Sequence, residues 1–362
     1  MKKNILNVVA VILIIVLTSC TINVNGSSSD SPETIPGSGP IETGSGSLTG
    51  RLLYTVFFYD TVSAQNDTPT TQIKVLDLAT GDNQVIFNVT GNAWIYSLAV
   101  SPDGGELLIS YTPPYEQGDE VHTSIFTAPL GQPESMQILF DPPKPSDRYT
   151  QAGWSLDGNS IYYVRSNYWE RAEDEIFPHY KIFRMAYPDG ESEEIIDQGF
   201  WPRLSPDGSK LVYVALDAVS GDNKLMISHS DGSNPQEISL TGLPSNKIYD
   251  TPVFTPDGQS ILFSAPVAVQ SYKPNVLDTL FGVDLVEAHS VPSDWWSVSV
   301  SGGPVKRLTH LQTIKLIGSM SPDGQHIASL SSDGIFVMDL DGSNLTSVLS
   351  DTQASGTLIW IP

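Results

Sequence analysis

One four-residue phrase, repeated in register, constrains the fold of this chain more than any other feature. Ser101-Pro102-Asp103-Gly104 recurs as Ser155-Leu156-Asp157-Gly158, Ser205-Pro206-Asp207-Gly208, Thr255-Pro256-Asp257-Gly258 and Ser321-Pro322-Asp323-Gly324. An apolar residue precedes each copy: Val100, Trp154, Leu204, Phe254 and Met320. Another stands six positions after each Ser or Thr: Leu107, Ile161, Leu211, Ile261 and Ile327. Proline presets φ at the first central position of a turn, aspartate bonds its own backbone, and glycine takes the left-handed conformation. Each copy therefore predicts strand, tight turn, strand, and copies in one register predict a repeat architecture.

A second, more divergent hairpin follows each of these units. Its strands start near Ile73, Ser124, Lys181, Lys224, Trp296 and Ile335, which makes six outer hairpins against five inner turns. The two ends of the sequence supply the missing inner pair. Thr357 to Pro362 matches the strand before the turn, with Trp360 in the place of Trp154 and Phe254. Gly50 to Val56 matches the strand after it. The expected fold is all-β: a six-bladed β-propeller of four-stranded antiparallel blades. Its ring closes by pairing the C-terminal strand with the N-terminal strands, which leaves no long free edge. Residues 51–362 shared among six blades give 52 residues each, more than a minimal blade needs, so insertions are expected in the connections.

The Ser-Pro-Asp-Gly phrase before an apolar strand, together with a strand ending in Asp339-Leu340-Asp341-Gly342-Ser343-Asn344, resembles the TolB-type, WD-like β-propeller repeat. The resemblance covers essentially all of 51–362. It implies the propeller fold and, from TolB itself, contact with partner proteins of the cell envelope. TolB proteins carry an α/β domain ahead of the propeller. Here a linker runs into the first blade instead, so identity with TolB is not expected. Similar propellers precede the hydrolase domain of prolyl-oligopeptidase-like peptidases. No Gly-x-Ser-x-Gly elbow is present, so that activity is not expected either.

The N-terminus carries a different signal. Met1 to Asn4 is short and basic, and Asn7 to Leu17 is an apolar run of secretory length, too short to span a bilayer. It ends in Leu17-Thr18-Ser19-Cys20, which resembles a bacterial lipobox. That resemblance implies cleavage before Cys20 and a lipid on its thiol. Cys20 is the single cysteine, which excludes an internal disulfide and a cysteine-based metal site. The expected organisation is a lipoprotein signal peptide over 1–20, a flexible Ser/Gly/Pro linker over 21–50, and the propeller over 51–362. The expected location is outside the cytoplasm, held to a membrane by the lipid.

Charge narrows the partners. Eighteen Lys and Arg stand against 41 Asp and Glu, a net charge of −23. Nucleic-acid backbone binding needs clustered cations and is not expected. Alternating strand direction puts the tight turns on one face and the other connections on the opposite rim. The long ones are Thr112–Thr123, Ser166–Tyr180 and Ala265–Trp295, the last with a short helix expected at Val276–Ala288. Long loops on a rigid scaffold are where binding residues concentrate. The candidates are Tyr115, Glu116 and His122 in blade two; Tyr168, Trp169, Arg171 and His179 in blade three; and Asp294, Trp295 and Trp296 in blade five. Aromatic residues in an acidic surround suit a protein or peptide interface. Two alternatives remain: a carbohydrate-binding or carbohydrate-active propeller using its central funnel, and a structural scaffold. His122, His179 and His289 share the rim but lack metal-ligand spacing. Asp339-x-Asp341-Gly342-x-Asn344 begins like a calcium loop, yet Ser350 stands where the distal Glu belongs, so a turn is expected. No metal and no cofactor is expected.

Overall fold

In each blade the second strand is apolar on both faces, because a propeller blade is sandwiched between two neighbours. Leu107, Leu108 and Ile109 are all fully buried, as are Ile161 and Val164, and Leu211, Val212 and Val214. The outermost strands are the reverse: Ser192 to Glu194 and Asn83 to Val85 are exposed. The computed structural model describes residues 48–59, 69–116, 118–144, 147–167, 178–217, 219–243, 248–267, 292–314, 316–350 and 354–362. They form six four-stranded antiparallel blades, and among them there is no α-helix, only a 3-10 turn at Pro133–Ser135.

From axis to perimeter, blade one runs Ala354–Ile361, Arg51–Tyr59, Pro69–Asp77, Asn83–Thr90, and blade two Asn92–Val100, Glu106–Tyr115, Ser124–Pro129, Gln137–Phe140. Blade three runs Arg148–Trp154, Ser160–Asn167, His179–Ala186, Ser192–Ile196, and blade four Gly199–Leu204, Lys210–Leu216, Asn223–His229, Gln236–Glu237. Blade five runs Asp250–Phe254, Ser260–Pro266, Ser293–Ser299, Lys306–Arg307, and blade six Ile317–Met320, His326–Ser331, Gly334–Asp339, Thr346–Ser350. The innermost strands neighbour one another in a closed ring. The seam lies inside blade one, as the sequence predicts: Arg51 pairs with Ile361, Leu52 with Trp360 and Tyr54 with Leu358. The Trp360 indole N–H donates to the Thr49 carbonyl at 3.0 Å.

The core is divided among the interfaces between blades. Tyr149 and Tyr163 of blade three meet Leu108 and Ile125 of blade two. Phe254 and Phe263 of blade five meet Val212 and Val214 of blade four. Blades four and five have outer strands of only two residues, and a parallel pairing laces their perimeter: Gly303 N–H donates to the Ser239 carbonyl at 2.8 Å, and Val305 N–H to the Thr241 carbonyl at 3.0 Å. At Gly342, φ is +90° and a Cβ would stand 2.3 Å from the Leu308 carbonyl oxygen, so this outer hairpin lies directly on the preceding blade.

The repeated phrase builds one turn five times. In blade four the Ser205 hydroxyl donates to Asp207 Oδ1 at 2.5 Å, while Ser209 N–H donates to the same carboxylate and Lys210 N–H to the Ser205 hydroxyl. The Ser hydroxyl first, and the backbone N–H next, hold the Asp157 and Asp207 carboxyls down to about 2. Asp103, Asp257 and Asp323 are lowered for the same reason. A carboxyl held lower in the folded chain stabilises it above its unfolded pKa of about 3.9, and that contribution disappears as the pH falls to the folded value. The double variant Asp157→Asn/Asp207→Asn is therefore less thermally stable than the parent at neutral pH. The gap closes between about pH 4 and pH 2, as both chains lose the charge-assisted bonds. Relief of net negative charge acts on both chains, so the difference between their melting curves isolates the turns. A gap that stays constant down to the acid limit would contradict the assignment.

Candidate functional site

The two ends of the propeller differ in construction. On one end, the outer hairpins of blades two to five bond the tight inner turn of their own blade: Leu130 N–H donates to the Gly105 carbonyl at 3.0 Å, Tyr187 N–H to Asn159 at 2.9 Å, and Ser230 N–H to Ser209 and Val300 N–H to Gln259, each at 3.0 Å. Inner turns also touch around the ring. Pro102 lies against Gly158, Leu156 against Gly208, Pro206 against Gly258 and Pro256 against Gly324. Asp339 and Asp341 act here as turn formers, taking bonds from Asn344 and Ser343. This face is short, repetitive and internally satisfied.

The opposite end carries the irregular connections. In blade two the strand continues through Thr112 to Tyr115, so the free connection is 116–123 rather than Thr112–Thr123. Tyr115 is half-buried at its foot and Glu116 is exposed. Glu116 N–H donates to Asp119 Oδ2 at 2.8 Å, closing a small turn. His122 is half-buried. The returning chain is fixed by the bond between the Thr112 and Thr123 hydroxyls (2.7 Å) and by Tyr149 N–H donating to the Thr123 carbonyl. In blade three, His179 opens the third strand opposite Asn167 and is half-buried. Tyr168, Trp169 and Arg171 lie outside the described residues, as do Cys20, His289 and the expected helix at 276–288. Blade one also ends one strand at this rim, at Tyr59, and begins the next there, at Pro69, a place the sequence reading passed over.

Blade five requires a correction. Asp294, Trp295 and Trp296 do not belong to a loop: they lie in the strand Ser293–Ser299, paired with Ala265, Ser264 and Phe263. Asp294 and Trp295 are 0 % exposed and Trp296 is 8 % exposed, so none can anchor a partner. The reason is packing on both faces. Trp296 joins the core toward blade four, and its indole N–H donates to the Ala265 carbonyl at 3.2 Å. Trp295 fills the interface toward blade six, where a Cβ on Gly318 would stand 2.5 Å from its ring. Asp294 accepts from Arg307 through Nε (3.0 Å) and Nη2, from the Thr309 hydroxyl at 2.9 Å and from Gln312 N–H at 3.1 Å.

A matching pair underlies blade three. Asp147, also 0 % exposed, accepts from Arg165 Nε at 2.8 Å and from the Asn167 amide. Both buried carboxylates thus clamp the feet of a long connection, 168–178 and 267–292 respectively. Sequence reasoning missed Asp147, Arg165 and Arg307. Their one visible signal is a cation inside an apolar strand, as in Ile161-Tyr162-Tyr163-Val164-Arg165. Among the described residues no three His, Cys, Asp or Glu side chains converge as a metal site. What the rim offers is a base of paired strand ends, with exposed carboxylates at Glu116, Asp119 and Glu120.

No protein-family model matches the sequence, and no curated protein matches it. Solved structures do match the fold. TolB from Acinetobacter baumannii aligns with a TM-score of 0.61 at 14 % identity, over 87 % of this chain and 67 % of that one. A putative TolB from Agrobacterium tumefaciens aligns with a TM-score of 0.56 at 16 % identity, over 86 % of this chain and 99 % of that one. The described domain is a six-bladed β-propeller of TolB-like fold.

Proposed function

We propose that this chain is a secreted lipoprotein whose propeller binds a protein or peptide partner at the cell envelope. The lipid on Cys20 holds it to a membrane, and residues 21–50 tether the propeller. The partner docks on the irregular rim, through the connections of blades two and three with that of blade five. The division between the two ends carries this reading: one face is closed by short self-bonded turns, while the other sets long connections on buried Asp–Arg clamps. The acidic surface suits a basic contact patch on the partner and solubility outside the cell. The role is binding rather than catalysis.

Two measurements test it. Cys20→Ala moves the protein from the membrane fraction to the soluble fraction, because the thioether cannot form; retention in the membrane would refute the lipid anchor. In cells, cross-linking of the full chain yields an adduct that disappears when 168–177 is replaced by a Gly/Ser segment of equal length, with the melting temperature unchanged. An adduct indifferent to that replacement would refute the rim.

A further inference from the structure

Aspartate stands directly before glycine at nine places in the described chain, and the carboxylates of these nine steps fall into two groups. In seven of them the carboxylate is held. Asp103, Asp157, Asp207, Asp257 and Asp323 accept from the hydroxyl two residues before them at 2.5–2.6 Å. Asp341 accepts from the Ser343 hydroxyl, two residues after it, at 2.6 Å. Asp231 stands in the same Asp-Gly-Ser phrase, followed by Ser233. In all seven the backbone N–H two residues on donates as well, at 2.9–3.1 Å. The hydroxyl first, and the N–H next, hold all seven carboxyls below the usual carboxylate range.

Asp189 and Asp333 have no such partner. The residues two places from Asp189 are Tyr187, whose hydroxyl donates instead to Glu106 at 2.8 Å, and Glu191, which is itself acidic. Those two places from Asp333 are Ser331 and Ile335. The Ser331 hydroxyl is turned to the backbone: it donates to the Gly334 carbonyl at 3.3 Å and accepts from Asp333 N–H at 3.1 Å. Among the described residues nothing donates to either carboxylate, and both aspartates are exposed.

An Asp-Gly step carries its own chemistry, because glycine has no Cβ to shield its amide nitrogen. That nitrogen attacks Cγ of the protonated carboxyl. The N–Cγ bond forms, the carboxyl OH leaves as water with the amide proton, and a succinimide ring results. Water then reopens the ring; opening at the α-carbonyl leaves the main chain running through Cγ, as isoaspartate. Nothing is oxidised or reduced, and the mass is unchanged. A bonded carboxylate resists the first step twice. It stays ionised, which makes Cγ a poor electrophile, and its bonds fix Cγ away from the nitrogen.

We propose that Asp189-Gly190 and Asp333-Gly334 are the sites of spontaneous isoaspartate formation in this propeller, and that the held carboxylates protect the other seven steps. The turn hydroxyls thus serve chemical durability as well as register. Asp333 lies in the two-residue turn between Ser331 and Gly334 on the irregular rim, and Asp189 in the outer turn of blade three on the tight-turn face. A Cβ on Gly334 would stand 2.1 Å from the Leu349 carbonyl oxygen, so the rim turn has little room for a lengthened backbone. The inference does not depend on the partner-binding reading.

The test ages the purified full chain for weeks at neutral pH and body temperature, then maps isoaspartate by peptide digestion and electron-transfer fragmentation, which distinguishes it from aspartate at equal mass. Isoaspartate accumulates at Asp189 and Asp333 about tenfold or more faster than at any of the other seven, the factor expected for a charge-assisted bond. In concentrated urea the nine rates converge, because the protection belongs to the fold. Ser343→Ala, an exposed change that removes only the hydroxyl, speeds the reaction at Asp341 at an unchanged melting temperature, while Asp207 in the same chain keeps its rate. The proposal is overturned if any of the seven reacts as fast as the slower of Asp189 and Asp333. It is overturned equally if the contrast persists in urea, which would assign it to neighbouring sequence, or if Ser343→Ala leaves the rate at Asp341 unchanged.

Discussion

Removing Leu358–Pro362 abolishes the cooperative unfolding of the propeller. Leu358, Trp360 and Ile361 are 4, 6 and 5 % exposed, and the strand they form is the innermost of blade one. Losing a buried Leu or Ile costs about 2–5 kcal/mol and a buried Trp about 3–5 kcal/mol. Together they reach the whole stability of a typical domain, about 5–15 kcal/mol. The truncation also unpairs the inner edge of Arg51–Tyr59 and opens the ring at its seam. Calorimetry of the truncated chain shows no sharp transition, and a hydrophobic dye binds at ambient temperature. Trp360→Ala alone gives an intermediate loss, since the backbone pairing survives. A truncated protein melting within a few degrees of the parent would place the chain end outside the ring.

Asp294→Ala destabilises the propeller by about 2–4 kcal/mol, because a fully buried carboxylate is lost from its donors, while the partner Arg307 is 27 % exposed and keeps the Thr309 carbonyl. Arg307 is then left without its carboxylate, and the Thr309 hydroxyl and Gln312 N–H lose their acceptor. Adding Arg307→Met to the same chain recovers part of the loss, because the orphan charge is gone. An exposed pair behaves differently: Glu194→Ala, which releases Lys181, stays within about 1 kcal/mol. Denaturant titration separates the three cases. Below its lowered melting temperature, Asp294→Ala still forms the partner adduct, because the carboxylate is not on the surface. Loss of the adduct at unchanged stability would return Asp294 to the interface.

What the sequence made legible follows from what repeats locally. A Pro-Asp-Gly turn is determined by its own residues, so blade register and the ring closure through Trp360 could be read directly. The binding candidates of blade five could not. Ser293-Asp294-Trp295-Trp296 has charge and large aromatics beside a long connection, which looks like an interface. Only the two neighbouring blades reveal that both faces of that strand are covered. The buried clamps were hidden for a related reason: Asp147 and Arg165 are 18 residues apart, and Asp294 and Arg307 are 13 apart, so the pairing exists only in the folded blade.

Photo-cross-linking from single surface positions in living cells tests the central claim most directly. A photoreactive residue at Glu116, exposed on the irregular rim, yields a partner adduct. The same residue at Asp207, exposed on the tight-turn face, yields none. An adduct from Asp207 with none from Glu116 would contradict the assignment of the binding face.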